Sequence, residues 1–360
     1  MTRYSRQTRL PEWGLEGQER VSGARVLCVG AGGLGSPVAL YLAAAGVGTL
    51  GLVDDDQVEL SNLQRQVLFS ESDLGQSKVE VAARRIRALN PGVEIRAFDE
   101  RFESTRALEI ARDFDLLVDC SDNFATKFLI NAVACRLGKP WVYASVDAFE
   151  GQLALFDGGL SACYQCLVPE VPRAQIRNCA ESGVIGAAVG VVGTMQALLA
   201  LNALVASGDE QHPLYVRAGQ LILMEMRGGF SQRKVSIQKR PACRTCSAHA
   251  RDQSEASIDS SFHLVSSVSV QNFREALARD PGLQVLDVRE ESELHDGAIS
   301  GATHWPLSKL QSAELPALDR ARSVVLYCQS GRRSELGVQI LKEFGFARPV
   351  SLRGGFDAWR

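Results

Sequence analysis

The chain has 360 residues, long enough for two domains that each bury a core of their own. Apolar residues make up 46% and charged residues 22%, the balance of an ordinary globular protein. With 39 basic against 42 acidic side chains, no global field favours nucleic acid or an anionic membrane as partner.

The residues up to 246 alternate strand-like and helix-like segments, the pattern of a parallel α/β sheet. Residues 25–29 read as a buried strand, 36–45 as the helix after it and 49–53 as the next strand. Helical spacing over 77–89 stops at Asn90-Pro91-Gly92, where the proline disfavours a helical residue before it. Residues 116–119 and 141–144 supply further short strands. From 182 to 208 there is no charged residue, and Gly186 and Gly190 make a G-x-x-x-G spacing. Gln196 and Asn202 interrupt this stretch and no second such span accompanies it. A buried or subunit-interface helix is expected there, not a membrane span.

Residues 247–261 are rich in Ser, Ala and charge, with Ile258 the one large apolar residue, and suit a solvated linker. A second α/β pattern fills 262–360, with strands at 284–288 and 323–327 and a helix near 334–344. The expected organisation is a domain over 1–246, the linker, and a smaller domain over 262–360. Nine cysteines, behind an N-terminus whose Arg3, Arg6 and Arg9 precede no apolar core, point to a reducing, cytoplasmic setting. Thiols there serve metals and catalysis more often than disulfides.

The first strand runs into Gly30-Ala31-Gly32-Gly33-Leu34-Gly35, a G-x-G-x-x-G in the strand-to-helix context that lets backbone N–H groups approach phosphate. Asp54, closing the next strand, is placed for ribose hydroxyls. By itself this motif points to a nucleotide, with NAD the usual ligand. The residues that follow change that reading. Asp54-Asp55-Asp56-Gln57-Val58-Glu59-Leu60-Ser61-Asn62-Leu63-Gln64-Arg65-Gln66 resembles the signature of the MoeB/ThiF family, relatives of the ubiquitin-activating enzymes. Arg3-Tyr4-Ser5-Arg6-Gln7, Gly75-Gln76-Ser77-Lys78 and Asp119-Cys120-Ser121-Asp122-Asn123 add to the resemblance, which covers about residues 1–246.

The resemblance implies a Rossmann-like adenylyltransferase domain that uses ATP and Mg2+. Attack of a carboxylate on the α-phosphate calls for cations about the phosphates and a carboxylate to hold magnesium. Arg65 and Lys78 match the family's phosphate-binding residues, and Asp122 the residue near magnesium. Gly30, Gly32, Gly33, Gly35, Asp54, Asp56, Ser61, Asn62, Leu63, Gln64 and Asn123 complete the expected nucleotide site. Arg6 matches an arginine supplied by the partner subunit, which implies a homodimer.

Cys163-Tyr164-Gln165-Cys166 and Cys243-Arg244-Thr245-Cys246 are two C-x-x-C pairs, each able to chelate one edge of a tetrahedral zinc. Redox pairs are the alternative. A single Zn2+ site is the simpler reading, and the family carries zinc at these positions. Four thiolates leave no open position, so such a site is structural. Cys179 matches a cysteine proposed in the family to meet the activated carrier, the alternative being a small buried side chain. Cys28, Cys120 and Cys135 read as packing residues.

Cys328 ends the strand at 323–327 and opens Cys328-Gln329-Ser330-Gly331-Arg332-Arg333-Ser334 ahead of a helix. A thiol among loop N–H groups, a helix N-terminus and arginines is expected to ionise readily, and the same cradle suits a persulfide anion. With Leu286-Asp287-Val288-Arg289, the run from His295 to Ala302, and Gly354-Gly355-Phe356-Asp357-Ala358-Trp359, the region resembles a rhodanese domain. A C-x5-R phosphatase would need arginine where Ser334 stands. The combined resemblance implies adenylation of a ubiquitin-like sulfur carrier ending in Gly-Gly, then sulfur transfer from a Cys328 persulfide. The sulfur donor would be a cysteine desulfurase or thiosulfate. The molybdopterin-synthase small subunit is the favoured type of carrier, with a thiamine-pathway carrier as neighbour. An NAD-dependent oxidoreductase and a non-catalytic carrier-binding scaffold are the distant alternatives.

Overall fold

The structure is a computed structural model, and it describes residues 3–170, 183–247, 267–280 and 282–360. The chain divides into two units, Met1–Phe262 and His263–Arg360.

In the first unit, β1 (Arg25–Val29), β2 (Thr49–Val53) and β4 (Leu116–Asp119) are apolar runs buried almost throughout, as strands covered on both faces must be. With β3 (Glu94–Phe98) and β5 (Trp141–Asp147) they form a parallel sheet. The strands β6 (Glu150–Phe156), β7 (Gln220–Glu225) and β8 (Ser231–Ser236) extend it antiparallel. The order is β3-β2-β1-β4-β5-β6-β7-β8. The parallel α/β sheet expected from sequence is present, and the antiparallel strands lengthen it at one edge. The polar, fully exposed β8 carries no apolar alternation that would announce a strand.

The helices of this unit are α1 (Gly14–Gly23), α2 (Gly35–Ala45), α3 (Lys78–Leu89), α4 (Ala107–Arg112), α5 (Phe124–Leu137), α6 (Tyr164–Leu167) and α7 (Gly186–Val205). α2 ends at Gly46 in the left-handed region, and α5 ends likewise at Gly138. Among the described residues α7 is the one helix long and apolar enough to cross a membrane. It packs on α1, α2 and β4 to β6, burying Val192, Gln196, Ala197 and Ala200. Because β1 lies between β2 and β4, the chain leaves it toward opposite sides of the sheet. The crevice at its carboxyl end is a topological switch point, the usual ligand site in open α/β sheets.

The second unit is a parallel five-stranded sheet, order β11-β10-β12-β13-β9. Its strands are β9 (Ser267–Val268), β10 (Gln284–Asp287), β11 (Thr303–His304), β12 (Ser323–Tyr327) and β13 (Arg348–Leu352). Its helices are α8 (Val270–Arg279), α9 (Leu307–Gln311), α10 (Arg332–Glu343) and α11 (Gly355–Trp359). Along β12 the side chains alternate between two cores. Val324 and Leu326 join one, which Cys328 continues, while Val325 and Tyr327 join the other.

Candidate functional site

β1 passes into α2 through the glycine turn. Gly30 has a φ of 102°, and a Cβ there would lie 2.7 Å from the Cys120 carbonyl oxygen. A Cβ at Gly35 would lie 2.3 Å from the Gly30 oxygen. These two glycines close the turn on itself and on the end of β4. Gly32 is different, since a Cβ there would meet nothing nearer than the Gln66 amide at 3.6 Å. The turn is open at that point for a phosphate to approach the backbone. At Gly33 a Cβ would press on Val189 and on the Arg65 stem, which places that arginine against the turn.

Asp54 leaves β2 and ties itself to the same turn. Its Oδ2 accepts the Ala31 N–H at 2.7 Å and its Oδ1 the Asp56 N–H at 2.9 Å. Lys78, opening α3 and only 4% exposed, donates to Asp56 Oδ2 at 2.7 Å. Burial pushes the Asp54 carboxyl up to about 6, against the pull of the Lys78 ammonium. Burial would lower Lys78, but Asp54 and Asp56 outweigh it and hold the ammonium above its ordinary range. Ser61 and Asn62 lie on the 3-10 turn Leu60–Asn62. Asn62 donates to Glu59 at 3.0 Å and accepts from Arg65 at 2.8 Å, so Arg65 is held in place by a chain of side chains. Leu63 packs against the core, and Gln64 is exposed with its backbone under Gly186.

The loop after β4 holds Asp122 and Asn123. Asn123 caps α5, its side chain accepting the Thr126 N–H, a role that accounts for this residue without a nucleotide. Beneath the loop lies Lys127, which the sequence reading passed over. Its buried ammonium donates to Asp119 Oδ2 at 2.7 Å, the Ser121 carbonyl at 2.9 Å and the Ala144 carbonyl at 2.9 Å. A lysine inside an otherwise apolar helix, eight positions after Asp119, is the signal that marks it. The Asp122 carboxylate acts on both Lys78 and Lys127, so the expected magnesium residue lies within electrostatic reach of two cations. Arg6 is exposed on the N-terminal turns, and Cys179 lies outside the described residues.

In the second unit Cys328 is fully buried at the carboxyl end of β12. Its Sγ accepts the Gly331 N–H at 3.1 Å, with the Ser334 hydroxyl at 3.8 Å. Gly331 has a φ of 91°, and its carbonyl accepts from Ser334 at 2.7 Å and Ser351 at 3.1 Å. The carbonyls of Cys328 and Gln329 accept the N–H groups of Phe356 and Asp357, which ties the loop to α11. Arg289, fully buried, pairs with Asp287 at 2.6 Å, covers the Phe356 ring and reaches Gln329 Oε1 at 3.4 Å. The expected gathering of arginines about the thiol is redirected at one of them. Arg333 forms two bonds of 2.5 Å to Glu293.

The sulfurs of Cys163, Cys166, Cys243 and Cys246 all lie within 4.8 Å of one another, and all four residues are buried. Cys163–Cys243 and Cys166–Cys246 stand at 3.6 and 3.5 Å. Four sulfurs about 2.3 Å from one zinc would stand about 3.8 Å apart, so the cluster fits that ion closely. Asn131 and the Arg240 N–H donate to Cys163 and Cys166, the hydrogen bonds that thiolate ligands accept. Hydrogen bonds to Cys135 and Cys163 hold Cys163 and Cys246, respectively, far above the ordinary thiol range. Cys243 accepts from Cys163 and Cys246 and is held far below it. Bound to a metal, all four would be thiolates whose charge the cation offsets. Chelation, or Cys163→Ser, is expected to lower the Tm of the first unit by about 10 °C. A loop of this length costs about 4 kcal/mol to close, and each kcal/mol is worth about 2–4 °C. Thermal melting followed with zinc content checks this, and an unchanged Tm on metal removal would refute a metal site.

The first unit is thus a nucleotide-handling α/β domain, and the second a cysteine-loop domain. The ThiF family matches residues 4–245 and the rhodanese-like domain matches residues 269–360. This chain belongs to the ThiF family and carries a rhodanese-like domain behind it. It is 36% identical to the adenylyltransferase and sulfurtransferase MOCS3 of Drosophila yakuba, over all of this chain and 83% of that one. It is 37% identical to MOCS3-2 of Zea mays, over 99% of this chain and 78% of that one. MoeZ of Mycobacterium tuberculosis is 36% identical over all of this chain and 92% of its own length. Among solved structures, E. coli MccB shares the fold with a TM-score of 0.59 at 22% identity, over 68% of this chain and 74% of that one. The chain is an enzyme of the adenylyltransferase and sulfurtransferase class.

Proposed function

We propose that this enzyme adenylates the C-terminal Gly-Gly carboxylate of a ubiquitin-like sulfur-carrier protein and converts it to a thiocarboxylate. The small subunit of molybdopterin synthase is the type of carrier favoured. The carrier carboxylate attacks the α-phosphorus of ATP, and the bond to pyrophosphate breaks. Lys78 and Arg65 stabilise charge on the phosphates, Asp54 receives the ribose, and the open edge at Gly32 admits the phosphate chain. Asp56 keeps Lys78 in place. Asp122 would hold the magnesium ion, whose chemistry is to neutralise phosphate charge. A persulfide on Cys328 then attacks the acyl carbon and AMP leaves. Cys179 cleaves the resulting acyl disulfide, leaving a thiocarboxylate and a Cys179–Cys328 disulfide that a dithiol reductant resets.

The carrying observation is one chain that holds both a buried ammonium beside an open glycine turn and a thiol clasped by a loop N–H. Arg6 would come from a second copy, in a homodimer. The exposed Tyr41 on α2 and Leu198 on α7 support such a pairing. Joining the two activities raises the persulfide concentration near the adenylate. The cytoplasm is the setting that keeps these thiols reduced.

ATP–pyrophosphate exchange with a panel of purified carriers, each with and without its last glycine, tests the reading. Exchange that depends on the intact tail of a molybdopterin-type carrier is the expected result. Exchange with a thiamine-pathway carrier alone would move the assignment to that pathway. No exchange with any of them would favour a scaffold.

A further inference from the structure

The Cys328 loop is flanked by carboxylates. Gln329, beside the thiol, donates to Asp357, and Arg333, in the first turn of α10, is clasped by Glu293. Glu293 belongs to the 3-10 turn Glu291–Asp296, which follows β10 as the thiol loop follows β12. Arg289 fastens the two segments together, since its Nη1 reaches both Gln329 Oε1 at 3.4 Å and the Glu293 carbonyl at 3.5 Å. Glu293 is itself braced, its other role being to accept the Glu290 N–H at 2.9 Å in a capping box. The Arg333–Glu293 pair is bidentate, with side chains only 21% and 28% exposed, the geometry in which such a pair is strongest. Arg333 also holds the Glu293 carboxyl below the ordinary range, so the partner is ionised at neutral pH.

A sulfur donor is held by its charge as well as by its sulfur. Thiosulfate is a dianion. The Cys328 thiolate attacks its outer sulfur, the S–S bond breaks and sulfite departs with the electron pair. A persulfide borne on a thiol donates by the same displacement, with the parent thiolate as leaving group and no sulfonate to bind. An arginine five positions beyond the thiol is suited to the sulfonate only if its charge is available.

We propose that Glu293 is a specificity-determining residue of the sulfur-transfer site. By neutralising Arg333 it disfavours dianionic donors such as thiosulfate and leaves the Cys328 loop suited to a thiol-borne persulfide. The proposal rests on Cys328 as the sulfur-accepting thiol and names the class of donor that supplies it.

The test uses the full-length protein as wild type, Glu293→Gln, Arg333→Gln and the double variant. Each is assayed with thiosulfate by sulfite release, and with a carboxylate-free alkyl persulfide by the gain of one sulfur atom on Cys328. Glutamine keeps the capping hydrogen bond, so Glu293→Gln removes charge without removing the cap. Its KM for thiosulfate is expected to fall roughly five- to tenfold at low salt, an effect that shrinks as salt screens it. Its rate with the alkyl persulfide should stay within about twofold of wild type. The gain with thiosulfate should vanish in the double variant, because it acts through Arg333. An unchanged or raised thiosulfate KM, an equal change with both donors, or a gain that survives Arg333→Gln would each overturn the proposal. A Cys328→Ala control that still accepts sulfur would instead overturn the reading beneath it.

Discussion

Cys328→Ala is expected to abolish thiocarboxylate formation and thiosulfate turnover while leaving ATP–pyrophosphate exchange within about twofold of wild type. The exchange reaction needs only the first unit, whose glycine turn, Asp54, Lys78 and Arg65 belong to a separate sheet. The sulfur step needs a nucleophile with an N–H donor already aimed at it, and Cys328 with the Gly331 N–H is that arrangement. The loop should outlast the change, because it is tied by contacts that do not involve Sγ. Ser334 and Ser351 hold the Gly331 carbonyl, and Phe356 and Asp357 hold the carbonyls of Cys328 and Gln329. Thiosulfate turnover undiminished in the variant would remove Cys328 from the reaction. Loss of exchange would show that the two activities are coupled.

Lys78→Met should lower carrier-dependent exchange by roughly a hundred- to thousandfold, the cost of removing one preorganised donor at a developing charge. The fold should tolerate it, since methionine fills the buried stem and the Asp56 carboxylate, 67% exposed, is taken up by water. The variant also carries a pH signature. Asp54 titrates near 6 with the Lys78 ammonium beside it, and that ammonium lowers it. If the carboxylate form receives the ribose hydroxyls, nucleotide affinity should weaken as pH falls through about 6 in the wild type. In Lys78→Met the midpoint should move upward, because burial remains and the opposing charge is gone. Nucleotide binding measured from pH 5 to 9 separates the two effects. A midpoint that stays in place would place Lys78 and Asp54 in separate roles.

Much of this was legible in the residues. β1, β2, β4 and β12 lie where their apolar runs place them, because a strand buried on both faces writes its limits in composition alone. The glycine turn and the four cysteines were legible because their chemistry permits few substitutes. What escaped had no local mark. β8 is a polar strand paired only through its backbone, and β3 alternates too weakly to stand out. Asn123 matched a motif, and the cap its side chain gives α5 was not read from it. The Arg333–Glu293 pair joins residues 40 positions apart, and no spacing rule connects them. Lys127 sits in a helix buried on nearly every side, where a lysine is bearable only because Asp119 and two carbonyls meet its ammonium.

The four-cysteine cluster also sets an order on the making of the protein. Its two halves are 80 positions apart, and the later half, Cys243 to Cys246, follows the last strand of the first sheet. During synthesis the earlier pair emerges, and α5 can form, well before their partners exist. The first unit therefore cannot be locked until almost all of it has left the ribosome. Until then Cys163 and Cys166 are thiols awaiting a mate, open to oxidation or to a wrong metal. A metal held by all four sulfurs would therefore be captured only once the second pair has emerged.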